Sequence, residues 1–405
     1  MTTRNFETKL QTESLSLASS SFDEKAFIKQ QAATHGSPLL LVDTAKVRSQ
    51  YRLLQSALPG LDLHFALKPL PHKAVVDTLA SMGAFFDLAT TGEVELVADS
   101  GIAADRTIHS HPIKRDIDIR NALAYGTTTF VVDSLHELAK FKSYTEQARV
   151  LVRLSFPNPA AKSDLSRKFG CSPHKAIDII KQANDWGIKV YGLSFHVGSQ
   201  TLDSTQYTNA INQSIKVFAQ VRELGLPELE CLDIGGGFPV NYANEGIDIV
   251  EYCAPIREAL SVLPGSVRLI AEPGRFIVAP AVISVASVMG QAERNGVTWY
   301  YLDDGVYGSF SGIMYDHGDY PIEALNASPE VTQCVLAGPT CDSIDVISEA
   351  IMLPKLQDGD LLIARMMGAY TWASATEFNF FPKASLVTYD SDQLKAEAAK
   401  SLKVA

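Results

Sequence analysis

Between His64 and Ala271 the chain repeats one unit: a short apolar run rich in β-branched and aromatic residues, a polar turn, then a stretch with helical spacing. The runs are His64–Leu67, Ala84–Ala89, Arg106–His109, Thr128–Val132, Val150–Leu154, Val190–His196, Glu230–Ile234 and Val267–Ala271. The stretches between them, among them Thr91–Asp99, His136–Thr145, Pro173–Trp186 and Ser204–Leu224, open on acidic or Ser/Thr residues, as helices do. Eight strands each followed by a helix, in the length of an ordinary barrel, predict a (β/α)8 barrel. An open doubly wound sheet is the alternative. It is the weaker one, because no Gly-x-Gly-x-x-Gly follows a first strand.

The flanks differ in texture. Before the repeat, the spacing predicts a helix over Asp23–Thr34, capped by Ser20, Ser21 and the acidic pair Asp23–Glu24. A strand over Pro38–Val42 then leads into a helix over Thr44–Ala57. After Arg275, long apolar runs separated by Gly, Pro and Asp turns replace the alternation: Ile277–Met289, Val297–Leu302, Thr332–Leu336, Asp360–Met367 and Ala384–Tyr389. These predict a second, β-rich domain. No repeat or low-complexity linker separates it, so a packed boundary near residue 280 is expected, and Ser391–Ala405 reads as a frayed helix.

Charge and cysteine usage narrow the class. A net charge of −11 and a pI near 5.3 argue against nucleic acid or an anionic membrane as partner, leaving room for a local basic pocket around one phosphate. The five cysteines are widely spaced and form no Cys-x-x-Cys pair, so neither a disulfide framework nor a zinc site is indicated, which fits a reducing compartment. Residues 1–35 are polar and Ser-rich, and no run approaches a membrane span. The expected location is cytoplasmic.

In a barrel of this kind chemistry sits at the carboxyl ends of the strands. The polar residues that end the runs are Lys68, Asp87, His109 and His111, Asp133, Arg153, His196, Gly235–Gly236–Gly237, and Glu272 with Arg275. Each alone has an ordinary structural reading. Lys68, followed by Pro69 and Pro71, reads as a snorkelling lysine at a strand end or as an amine desolvated enough to lose its proton and form a Schiff base. His196 reads as a satisfied core histidine or as a flat face for a ring, and Asp87 as a hydrogen-bonded strand-end carboxylate. The three glycines make a tight turn, or they bring backbone N–H groups onto a phosphate, with Ser199 and Arg275 as further donors. Taken together, a lysine, a phosphate cradle, a carboxylate for a ring nitrogen and a flat imidazole are what pyridoxal 5'-phosphate requires.

The same residues carry a family resemblance. Phe65–Ala66–Leu67–Lys68, Phe86–Asp87–Leu88–Ala89 with Glu93, His196–Val197–Gly198–Ser199, Asp233–Ile234–Gly235–Gly236–Gly237–Phe238–Pro239 and Glu272–Pro273–Gly274–Arg275 resemble the motifs of the fold-type III ornithine/lysine decarboxylases. The likeness continues in order through Asp303–Asp304–Gly305–Val306–Tyr307–Gly308–Ser309–Phe310, Tyr315–Asp316–His317, Gly338–Pro339–Thr340–Cys341–Asp342–Ser343–Ile344–Asp345 and Gly368–Ala369–Tyr370–Thr371, spanning about residues 38–390. It implies an alanine racemase-like fold: a segment 1–43 that joins the β-domain, a cofactor-binding barrel over 44–280 and a β-domain over 281–405. It also implies a homodimer with active sites shared across the interface.

By the same resemblance Lys68 binds pyridoxal phosphate, and Asp87, Arg153, His196, Ser199, Gly235, Gly236, Gly237, Glu272, Arg275 and Tyr370 complete the cofactor site. Glu272 contacts the ring nitrogen, and Ser199, Gly237, Arg275 and Tyr370 hold the phosphate. Cys341 of the other subunit is the acid that protonates the carbon left by CO2, while Tyr315, Asp316 and Asp342 receive the substrate. The implied activity is decarboxylation of a basic L-amino acid, ornithine to putrescine first and lysine to cadaverine second, in polyamine biosynthesis.

The alternatives are a diaminopimelate decarboxylase-like or alanine racemase-like enzyme, and a non-catalytic regulatory homologue. An acidic pair suits an ω-ammonium group, whereas a distal amino-acid head group also needs an arginine for its carboxylate. The chain departs from the resembled pattern at Pro69–Leu70–Pro71–His72, where a small residue and Asn usually follow the lysine. It departs again at Phe380, where Gly is frequent.

Overall fold

A computed structural model of the chain describes residues 22–404, apart from 159–160, 162, 243–245 and 327–329. Eight parallel strands close into a barrel in chain order: β2 (Asp62–Ala66), β3 (Phe85–Leu88), β4 (Thr107–His109), β5 (Thr129–Val132), β6 (Arg149–Leu154), β7 (Lys189–Phe195), β8 (Cys231–Asp233) and β9 (Arg268–Ala271). The ring shuts where Asp62 and Leu63 of β2 pair with Ile270 and Ala271 of β9. Each strand leads to a helix: α3 (Lys73–Ser81), α4 (Thr91–Asp99), α5 (Asp116–Tyr125), α6 (Leu135–Ala139), α7 (Pro173–Asp185), α8 (Thr205–Glu223), α9 (Ile249–Leu260) and α10 (Arg275–Val278). The predicted barrel is thus the observed one. The expected His136–Thr145 helix is shorter, because α6 tightens into a 3-10 turn at Lys140–Ser143.

Strand periodicity divides the barrel into two cores. Ile108, Val131, Leu151, Tyr191, Cys231 and Ile270 pack together as an inner layer from six consecutive strands. Their neighbours in phase opposition, such as Phe130, Val132, Val150, Val152 and Leu232, join the larger core beneath the helices.

Ahead of the barrel lie α1 (Glu24–His35), β1 (Leu39–Asp43) and α2 (Thr44–Ala57). Asp23 is the N-cap of α1, its carboxylate accepting the Ala26 N–H, whereas the expected caps Ser20 and Ser21 lie outside the described residues. Strand β1 does not touch the barrel ladder. It pairs antiparallel with β10 (Val282–Arg294) and parallel with β16 (Ser385–Tyr389). The remaining strands are β11 (Val297–Leu302), β12 (Ile322–Ala324), β13 (Val331–Ala337), β14 (Val346–Pro354) and β15 (Leu361–Ala364), in the order β12-β15-β10-β11-β13-β14.

The expected strand over Ile277–Met289 is corrected at its start. Arg275–Val278 is a helical turn, Ala279–Ala281 a 3-10 turn through Pro280, and the strand begins at Val282. A five-residue helix, α11 (Gly312–Asp316), and the terminal helix α12 (Ser391–Val404) complete the fold. Among the described residues, no helix is long and apolar enough to cross a membrane.

Candidate active site

The period of two that builds the inner barrel layer also builds the site. Two residues beyond Ile108, Leu151, Cys231 and Ile270 stand Ser110, Arg153, Asp233 and Glu272, so these polar side chains share the inward phase at the carboxyl end of the barrel. His109 has the opposite phase. It is buried against Phe130 with neither ring nitrogen partnered, and it does not line the site.

The cavity formed there has a volume of about 370 Å³ and is lined by Lys68, Arg153, His196, Ser199, Gly236, Gly237, Glu272 and Arg275 from the barrel loops, and by Tyr315, Asp316 and Tyr370 from the second domain. Gly235 and Asp87, also expected at the site, are not among the residues that line the cavity. Cys341 and Asp342 lie elsewhere: the thiol is exposed, the Cys341 N–H donates to Asn379 Oδ1 at 3.1 Å, and Asp342 accepts from the Tyr307 hydroxyl at 2.6 Å.

Lys68 follows the end of β2 by two residues, and its side chain opens into the cavity while protein surrounds it. The unusual Pro69–Leu70–Pro71–His72 sequence fixes that turn. The Pro69 ring lies over Gly274, where an added Cβ would meet it at 2.6 Å, and the Pro69 carbonyl accepts the Tyr370 N–H at 3.1 Å. Leu70 is buried, and His72 caps α3 by accepting the Ala74 N–H at 3.3 Å. Burial favours deprotonation, but Tyr370, Asp87 and Glu272 outweigh it and hold the Lys68 pKa above its ordinary value.

Three carboxylates share this region with Lys68 and Arg153. Burial, then the Glu272 charge, push Asp87 up to about 7, and burial pushes Asp233 up to about 7 as well. Glu272 is raised well above the carboxylate range by burial and by Asp233, to which it hydrogen-bonds. Burial and this neighbour both favour the protonated form of Glu272. Asp233 is fixed by the Gly235 N–H at 2.8 Å. Ser110 is not singled out in the sequence, and Asp233 enters only as the start of a motif and with no role, although the inward phase after Ile108 and Cys231 marks both.

The other wall is built for an anion. Arg275, at the start of α10, donates to Ser199 Oγ at 3.1 Å and to the Tyr242 hydroxyl at 2.7 Å, pairs with Asp316, and lies 5.1 Å from the Tyr370 ring centre. Tyr370 itself has a positive φ of 58°. The glycine turn is tight for a reason: a Cβ on Gly236 would meet the Glu272 carbonyl at 2.5 Å, and one on Gly237, at φ 114°, the Gly198 carbonyl at 2.3 Å. Between these walls His196 accepts the Gly198 N–H at Nδ1, 3.0 Å away, which leaves its proton on Nε2. Burial and the Arg153 charge hold its pKa well below 6.5, so the ring is neutral.

A lysine beside carboxylates, a neutral flat ring, a carboxyl pair with a proton and an Arg–Ser–glycine cradle fit pyridoxal phosphate group by group. The profile of the pyridoxal-dependent decarboxylases, for their pyridoxal binding domain, matches residues 44–279. The chain belongs to that family. The decarboxylase is 35% identical to the lysine/ornithine decarboxylase of Selenomonas ruminantium over 367 residues, 90% of this chain and 92% of that protein. It is 37% identical to antizyme inhibitor 2 of Xenopus laevis over 84% of this chain and 77% of that one. The solved structure of the lysine/ornithine decarboxylase of Vibrio vulnificus complexed with cadaverine is 58% identical, covers 91% of this chain and 99% of its own, and superposes with a TM-score of 0.88. The cofactor is pyridoxal 5'-phosphate, and the fold is that of the fold-type III decarboxylases.

Proposed function

We propose that this enzyme decarboxylates L-ornithine and L-lysine to putrescine and cadaverine, as a homodimer in which each site draws residues from both chains. The observation that carries the substrate class is Asp316, a buried carboxylate in the wall of the cavity that holds Lys68. A carboxylate held there, beside the phosphate-binding Arg275, suits the distal ammonium of a basic amino acid. The relatives agree with this choice, since the Vibrio vulnificus structures hold cadaverine and putrescine.

When bound, pyridoxal phosphate supplies the electron sink that makes loss of CO2 feasible. The residues of the chain do the rest. Lys68 is the covalent anchor, with Asp87 and Glu272 within electrostatic reach of its amine. Ser199, Arg275 and the N–H groups of Gly236 and Gly237 bind the phosphate, with Tyr370 beside them. The proton of the Glu272–Asp233 pair is available to the ring nitrogen, and the neutral face of His196 packs on the ring.

Protonation after CO2 departs falls to Cys341, and the second acidic contact to Asp342. Asp342 is held for that role by Tyr307 and by the Ile344 N–H at 3.2 Å. Neither Cys341 nor Asp342 lines the cavity of its own chain, which favours their delivery to a partner.

Side-by-side turnover of ornithine, lysine, arginine and diaminopimelate, read as CO2 and diamine released, tests the substrate. Ornithine and lysine should exceed the other two by at least about a hundredfold in kcat/KM, because a site lacking a partner for a polar end group rejects it strongly. Preference for arginine or diaminopimelate overturns the reading. Borohydride treatment of the holoenzyme should leave cofactor mass on Lys68, and Lys68→Ala should abolish both that label and the visible absorption band.

A further inference from the structure

Among the described residues, the large apolar side chain most open to solvent is Phe380, at 98% exposure. Its φ is 60°, and that of Asn379 before it is 55°, a conformation that side-chain-bearing residues rarely adopt. Glycine would sit there without strain. Within one chain the ring buries nothing in exchange for that strain.

The loop is nevertheless firmly held. Asn379 Oδ1 accepts the Cys341 N–H at 3.1 Å, and the Phe380 N–H donates to the Glu377 carbonyl at 3.0 Å. Phe378 stacks on Tyr307 with ring centres 4.4 Å apart, and Tyr307 donates to Asp342. Phe380 is therefore fixed relative to both Cys341 and Asp342. Wherever those two residues act, this ring arrives with them.

A second exposed ring points to the destination. Tyr315 is 68% exposed, lines the Lys68 cavity and lies within electrostatic range of Tyr307. The exposed aromatic surface thus runs from the cavity mouth to the cysteine loop. A cavity mouth at one end and a projecting ring at the other can meet their counterparts on a second copy across a two-fold axis. The occupant of each cavity mouth is then a second copy of this chain.

We propose that each subunit inserts Phe380 into the mouth of its partner's Lys68 cavity, where the ring forms a wall against the methylene chain of the substrate. This rests on the shared-site reading above and adds a specificity-determining residue to it. The wall excludes water from the reacting carbon and sets the chain length that packs best.

The test uses mixed holoenzyme dimers. A Cys341→Ala chain supplies Lys68, and a Lys68→Ala chain supplies Cys341, so their heterodimer has one complete site. Phe380→Gly relieves the backbone strain and keeps the fold, which an unchanged or raised Tm checks. Placed on the cysteine donor, it should raise the ratio of kcat/KM for lysine to that for ornithine about tenfold, because removing the wall harms the shorter chain first. Placed on the lysine donor, it acts only on the doubly damaged site, and the ratio stays at the unsubstituted value. If activity recovers on mixing but the ratio is unmoved, falls, or follows the lysine donor, the Phe380 assignment is wrong and the shared site stands. If chains shown to exchange regain no activity even with Phe380 intact, the shared site fails, and this proposal with it.

Discussion

A carboxylate withdrawn from water needs cations, and Lys68 and Arg153 offset the burial of Asp87, Asp233 and Glu272 only in part. The deficit is met with a proton. In the folded chain Asp87 and Asp233 hold theirs up to about 7, whereas an unfolded aspartate releases it near pH 4. Below pH 4 both states are protonated and these groups cost nothing. Between about pH 4 and pH 7 the unfolded state ionises freely while the folded state resists, so stability falls as pH rises through that window.

Asp87→Asn removes the ionisation and keeps an acceptor for Ser110. The Tm of cofactor-free Asp87→Asn should match the parent near pH 4 and exceed it by pH 8. A difference that is constant with pH would show that Asp87 is not the group titrating. Lys68 shows the same opposition between burial and charge. Its apolar run predicts desolvation, but the charges that oppose it arrive from β3 and from the end of β9, which no local pattern around residue 68 displays.

At the level of elements, the sequence was most legible where periodicity and burial agree. All eight barrel strands fall within two residues of their expected ranges, because each is a short apolar run between polar turns. β14 went unread. Its sequence Val346–Pro354 carries Ser348, Glu349 and Ala350 in mid-run, and it is an edge strand facing solvent on one side. The second half of α10 was read as strand because Ile277 and Val278 are β-branched, although tertiary packing overrides that preference and aims Arg275 at Ser199.

The glycine turn after β8 makes a sharper prediction. Gly237→Ala places a methyl group against the Gly198 carbonyl in a left-handed backbone, a strain of about 1–3 kcal/mol that the loop can relieve only by moving. Cofactor affinity, titrated by visible absorbance, should weaken at least about tenfold while the far-ultraviolet spectrum stays unchanged. Unaltered affinity would remove this turn from the phosphate cradle.

In the whole molecule the two sheets are bound together by the strand that precedes both. β1 lies between β10 and β16, and its alternation serves two cores. Leu39 and Leu41 pack with Ile28 of α1, Val285 and Ile363, whereas Leu40 and Val42 join the continuous core that also holds barrel residues such as Phe65 and Phe86. The cavity depends on the same junction, since Tyr315, Asp316 and Tyr370 approach Lys68 only while the second domain is seated. Neither half therefore has a finished surface of its own, and unfolding should be a single event.

Trp186 reports on the barrel and Trp299 on the second sheet, so variants retaining one or the other can be compared in urea at one protein concentration. Their midpoints should coincide with each other and with loss of the cofactor band. Leu40→Ala leaves a void in the shared core, costing about 2–5 kcal/mol, and should lower both midpoints together. If only the Trp299 midpoint moves, or if the two differ in the parent, the barrel stands without the β-domain and the junction at β1 does not couple them.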